Sequence, residues 1–181
     1  MSGPSQERRD MKMIHVTQGE YAVTGDPSVV MTTVLGSCVA TAMYDPKAKL
    51  GGLNHFLLPG KTADESGDDY QGIHIMELLI NEMLKRGASK KRMSAKLFGG
   101  AQIVKGLSEV GLRNADFARN FLAREGIPCT AQSLGGTQAR RIRYWPTTDR
   151  AQQLIVTDRN IIPPVQPKVL PVPDNDDVEL F

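Results

Sequence analysis

The chain has 181 residues, of which 40% are hydrophobic, 23% charged and only 6% aromatic. Those are the proportions of one globular domain, and they exclude a coiled coil, a collagen and a disordered chain. Its 22 Lys and Arg against 20 Asp and Glu leave a formal charge of +2, which does not announce a nucleic-acid binder.

In chain order, residues 1–11 are polar and read as a mobile arm. Strand signals follow at 13–16, 28–34, 39–44 and 50–58, β-branched or apolar runs punctuated by Gly, Asp-Pro or Pro. The acids at 64–69 read as a solvated face. Over 72–86 the period changes, so that Ile73, Met76, Leu79, Ile80, Met83 and Leu84 share one helical face, with Asp69 or Ser66 as cap and Gly87 as stop. A strand at 93–98 closes into Gly99-Gly100. A second helix is expected from Asn114 as N-cap, through Phe117, Phe121 and Leu122, to Gly126 as C-cap. Strands at 127–134, 139–145 and 153–156 complete the series, the first pair turned by Gly135-Gly136. From Ile162 onward come five of the eleven prolines and an acidic end. This 162–181 tail reads as disordered end, extended linker or partner-docking segment, with Leu180–Phe181 as an apolar anchor.

The fold class expected is therefore α/β, a single domain over 12–161 of packed mixed or antiparallel sheets flanked by two helices. Too many strands follow one another without helices for a doubly wound nucleotide fold. No run approaches the ~18 apolar residues of a membrane span, and the start lacks the apolar core of a secretory signal. Two cysteines, Cys38 and Cys129, are too few for a disulfide framework. A cytoplasmic protein is expected, without membrane insertion.

Two stretches carry chemistry. In Leu35-Gly36-Ser37-Cys38-Val39 a cysteine follows a tight, Cβ-poor turn that can expose its sulfur and aim backbone N–H groups at whatever the sulfur attacks. The competing reading is a small buried hydrophobe. In Gly51-Gly52-Leu53-Asn54-His55-Phe56-Leu57-Leu58-Pro59 a histidine sits inside an apolar strand, 17 residues after Cys38. A hairpin turned at 45–49 brings the imidazole beside the thiol in a suitable register, and a Cys–His pair makes the thiolate and later protonates a leaving group. Thr32, Thr33, Asn54 or an acid could orient the imidazole, and spacing does not choose among them. His15 and His74 lack metal-ligand spacing, so no metal is expected, and Cys129 reads as a strand-core thiol.

Read together with Lys96-Leu97-Phe98-Gly99-Gly100-Ala101, Gly111-Leu112-Arg113-Asn114, Glu125-Gly126-Ile127 and Leu134-Gly135-Gly136, these segments resemble the chemoreceptor glutamine deamidases, the CheD family of bacterial chemotaxis. The resemblance runs from about residue 12 to 157. It implies a cysteine hydrolase whose fold is related to the catalytic domain of cytotoxic necrotizing factor toxins. It implies Cys38 as nucleophile, His55 as base and Thr32, six positions before the cysteine, as the third residue. Ser37, Asn54, Gly99 and Gly100 are expected at the substrate. The implied reaction converts Gln to Glu on cytoplasmic receptor helices through a thioester, with backbone N–H groups including that of Cys38 at the oxyanion. Methyl-ester hydrolysis of Glu would use the same thioester, and no cofactor is required. An alternative role implied is an interaction protein that binds and regulates a CheC-type phosphatase. Two departures stand out: Ser133 replaces an Asp before the Leu-Gly-Gly block, and Ala139 replaces a glycine of the turn, which would need rebuilding if that glycine had positive φ.

Overall fold

The strand β4 (Val39–Asp45) explains the architecture. Its run Val-Ala-Thr-Ala-Met has no polar alternation because both faces are covered. Val39 and Met43 face one apolar cluster shared with the helices, whereas Ala40 and Ala42 face another shared with a second sheet. The result is three layers: sheet, sheet, helices.

The structure, a computed structural model, describes residues 11–58, 68–103, 109–157 and 178–181. Expectations for residues 1–10, for Ser66 as a cap and for 158–177 lie outside the described residues. The remaining strands are β1 (Lys12–His15), β2 (Tyr21–Thr24), β3 (Val29–Leu35), β5 (Leu50–Asn54), β6 (Ser94–Gly99), β7 (Cys129–Leu134), β8 (Arg140–Trp145), β9 (Arg150–Ile155) and β10 (Val178–Leu180). One sheet has the order β1-β3-β8-β9-β10 and the other β2-β5-β4-β6-β7. Both are mixed, with parallel pairs β1–β3 and β6–β7 in otherwise antiparallel sheets. The helices are α1 (Asp68–Lys85) and α2 (Glu109–Glu125), and α2 is the crossover that a parallel β6–β7 pair needs.

The expected single α/β domain with two helices is what the structure shows, with differences at particular elements. In α1, Met76, Leu79, Ile80 and Met83 are buried as the periodicity requires, while Leu84 is exposed and Ile75 takes its place in the core. The helix begins at Asp68, so Asp69 falls inside its first turn rather than capping it. The helix α2 starts five residues before Asn114, which is therefore interior and fully buried, not an N-cap. Gly126 does end it, at φ +68°, with the Ile127 N–H bonded to Leu122 O at 3.0 Å. The short β2 was not anticipated, because four residues of an edge strand carry too little pattern. Nor was β10, which pairs antiparallel with β9. Ala139 has no positive φ; Gly135 and Gly136 do, so the departure at 139 leaves the turn intact. Ser133, the other departure, accepts bonds from the Arg140 guanidinium through both Oγ and its carbonyl. No described helix is long and apolar enough to cross a membrane.

Candidate active site

Asp45 sets the hairpin that carries the site. Its Oδ1 accepts the Lys47 and Ala48 N–H groups at 2.9 and 3.2 Å and closes the β4–β5 turn. Burial favours the neutral acid, but the Arg92 guanidinium and three backbone N–H groups outweigh it and hold the carboxyl at about 2. The turn fixes the register Ala42↔Leu53 and Met43↔Gly52, and the bridge Val39↔Phe56 continues it. In that register His55 lies opposite Ala40 and Cys38 opposite Leu57. By the two-residue alternation of a strand, Cys38 and His55 project to one face as diagonal neighbours. That is the face turned toward the other sheet.

His55 is only 7% exposed. Its Nδ1 lies 2.8 Å from Thr33 Oγ1, while the Thr33 hydroxyl is 2.7 Å from the Val16 carbonyl. The hydroxyl has one proton, and the carbonyl can only accept. The Thr33 oxygen therefore accepts from Nδ1–H, and the lone pair stays on Nε2. Nε2 is buried and has no hydrogen-bond partner among the described residues. Burial pushes the imidazole below its ordinary pKa, against the Val16 carbonyl and the Glu20 carboxylate. Burial likewise pushes the half-buried Cys38 thiol up, partly offset by its own backbone N–H. The resting pair is thus a neutral thiol and a neutral imidazole. They share no hydrogen bond in this arrangement; the thiol donates instead to Gln18 Oε1 at 3.8 Å.

The expectation for Thr32 is corrected by the pleat of β3. Val29, Met31 and Leu35 enter the core between the sheets, so Thr33 is on that face and Thr32 on the other. The Thr32 hydroxyl donates to the Ile142 carbonyl at 2.8 Å and does not meet His55. Asn54 is also corrected. It is wholly buried on the helix side, its Oδ1 accepting the Thr41 N–H at 2.9 Å and its Nδ2 donating to Met76 Sδ. It braces the hairpin and reaches neither Cys38 nor solvent.

Ser37, Gly99 and Gly100 stand around Cys38, as parts of the scaffold that holds its loop. The Gly100 N–H donates to Cys38 O at 2.7 Å and the Ala101 N–H to Gly36 O at 2.9 Å. Gly99 has φ +110°, and a Cβ there would lie 2.1 Å from Cys38 O. Only glycine lets the strand pass this close. Ser37 O accepts from Asn114 Nδ2 at 2.8 Å, and Asn114 Oδ1 accepts the Leu58 N–H at 3.0 Å. One side chain of α2 thus ties the cysteine loop to the chain just after His55. Its place in the Gly-Leu-Arg-Asn block was visible in the sequence, but its role was not.

Gln18 was missed altogether. It lies in the turn Thr17–Glu20, closed by the Glu20 N–H to Thr17 O at 3.0 Å, with Gly19 at φ +83° in the third position. The turn is laced to His55 by two backbone bonds, Gly19 N–H to His55 O at 2.8 Å and His55 N–H to Glu20 O at 3.1 Å. A Thr-Gln-Gly-Glu turn was the available signal. Cys129 is exposed on β7, not a core thiol. Among the described residues no group of three or more His, Cys, Asp or Glu side chains could hold a metal ion.

The profile of a family described as "CheD chemotactic sensory transduction" matches residues 57–154. A protein of Agrobacterium fabrum named "Probable chemoreceptor glutamine deamidase CheD" is 48% identical over 175 residues, 94% of this chain and 97% of its own. A protein of Caulobacter vibrioides with the same name is 49% identical over 173 residues, 93% and 92% of the two chains. Among solved structures, a Bacillus licheniformis hypothetical protein, YfiH, is similar at a TM-score of 0.44 and 16% identity, covering 71% of this chain and 61% of that one.

Proposed function

The chain belongs to the CheD family, and from that premise we propose that it hydrolyses the side-chain amide of chemoreceptor glutamines to glutamate, with Cys38 as nucleophile and His55 as base. The observation that carries the reading is His55: a buried imidazole, its Nδ1 bonded to Thr33, its Nε2 unpaired, on the same strand face as the only thiol of that hairpin. A buried polar atom without a partner is costly, and its retention here fits a group that waits for a proton.

Substrate binding releases the Cys38 thiol from Gln18 and turns it to Nε2; such bonds tighten in the productive complex. His55 takes the proton as the sulfur attacks the carboxamide carbon. The tetrahedral intermediate collapses, the C–N bond breaks, and ammonia leaves with the proton from His55. Water then attacks the thioester, His55 again acting as base, and glutamate departs while the thiol is restored. General base catalysis of this kind contributes about 10²–10⁴-fold. A glutamate methyl ester passes through the same thioester with methanol as leaving group. Receptor signalling helices lie in the cytoplasm, and the proposed reaction belongs to that compartment.

The test is incubation of the purified protein and its Cys38→Ala variant with a receptor cytoplasmic fragment, read by mass spectrometry. Conversion of discrete glutamines by wild type alone is expected. Equal conversion by both proteins, or none by wild type, overturns the reading.

A further inference from the structure

Resting on that reading, we infer that Gln18 is a further catalytic residue, whose side-chain carboxamide joins the Cys38 backbone N–H to hold the oxyanion formed during attack. Around Cys38 the carbonyls are all engaged away from the sulfur: Gly36 O by Ala101, Ser37 O by Asn114 and Cys38 O by Gly100. The Cys38 N–H donates in none of the loop and turn backbone bonds of the described residues, so it is left for the oxyanion. One donor is therefore in place.

The second polar group at the sulfur is the Gln18 carboxamide, with Oε1 at 3.8 Å. Gln18 is exposed, but the turn that carries it is bonded on both sides to the backbone of His55, which fixes its backbone beside the base. The chemistry of the step then selects the amide's orientation. At rest the oxygen accepts the thiol proton. Once that proton passes to Nε2, the same oxygen would face a thiolate and then an alkoxide. A turn about Cγ–Cδ, a soft torsion, replaces it with the NH₂ group. As sulfur bonds to carbon, the carbonyl electron pair moves to oxygen and meets two N–H donors. The pair returns to the C=O as ammonia leaves, and the sequence repeats for the thioester.

Full-length wild type, Gln18→Ala and Gln18→Glu are compared on the receptor fragment, with Cys38 alkylation by iodoacetamide measured in parallel. Alkylation builds no oxyanion, whereas a distorted site would change it. The expected result is a fall in kcat of about 10²–10³ in both variants, the range for loss of one oxyanion donor, with KM within about threefold of wild type in both and the alkylation rate within about threefold in Gln18→Ala. The carboxylate of Gln18→Glu keeps the shape but cannot donate, so it does not rescue. Turnover at or above the wild-type rate in Gln18→Ala overturns the inference and makes Gln18 an occupant that substrate displaces. Parallel loss of alkylation in Gln18→Ala also overturns it, leaving a structural role. A wild type that converts nothing fails the deamidase reading itself.

Discussion

At Thr33 a single hydroxyl proton decides which nitrogen of His55 keeps its lone pair. Because that proton is committed to Val16 O, Nδ1 must carry hydrogen and Nε2 is free. Thr33→Val removes this constraint and is expected to lower kcat by roughly 10–100-fold, by analogy with partners that orient a metal-binding imidazole. Thr32→Val loses only a bond to Ile142 O, and steady-state assays that found it the more damaging of the two would return the orienting role to Thr32. The pH dependence follows from burial. His55 has a folded pKa below its unfolded value near 6.5, and the proposed mechanism needs it neutral, so the acid limb of kcat/KM is expected below that value. The same sign applies to stability. The neutral imidazole contributes stability above the unfolded pKa, and this is lost as pH falls through the folded one. Urea midpoints of wild type should therefore drop as pH falls below about 6.5 more steeply than those of His55→Gln.

At the scale of elements, the site is a hairpin, a loop and one helix side chain. The hairpin was legible: a Cys, a 45–49 turn and a His at the right separation. Its register was not, because register depends on Asp45 closing the turn and on which face each partner buries. The identity of the orienting threonine had the same origin. Two adjacent threonines are equivalent in sequence and opposite in a strand. The pleat of β3 puts Thr33 with Met31 and Leu35, and the exposed Val34 marks the other face. Asn114 was misjudged because a helix-capping residue type stood where a polar bridge was needed. Asn114→Ala leaves the Leu58 N–H and Ser37 C=O without partners, an expected cost of about 2–3 kcal/mol. Thermal unfolding checks the stability loss. Activity should fall further than the folded fraction does, since the cysteine loop is also released.

Over the whole molecule, the last residues complete the outer sheet. The strand β10 extends it beyond β9, and the Phe181 ring meets Phe98 edge-on at 5.4 Å. Lys96 Nζ, nearly buried, bonds Phe181 O at 3.0 Å and pairs with Asp149 at 3.1 Å. Of the anchor expected at Leu180–Phe181, only Phe181 packs; Leu180 is 66% exposed. Phe181→Ala is expected to cost about 2 kcal/mol, below the usual range for a fully buried aromatic. At this size that is a Tm fall of about 4–8 °C by calorimetry. An unchanged Tm would mean that this strand adds nothing to the sheet.

The sequence by itself determined the fold class, the two helices, most strands and the hairpin that carries Cys38 and His55. Those follow from local periodicity, turn chemistry and spacing, which neighbours in the chain express directly. Only the tertiary structure decided that Thr33 rather than Thr32 meets His55, that Asn54 faces the helices, that Asn114 ties the loop and that Gln18 sits on the sulfur. Each of these depends on which side of a layer a residue faces and on what the opposite layer presents there. That information exists only once the two sheets and the helices have packed.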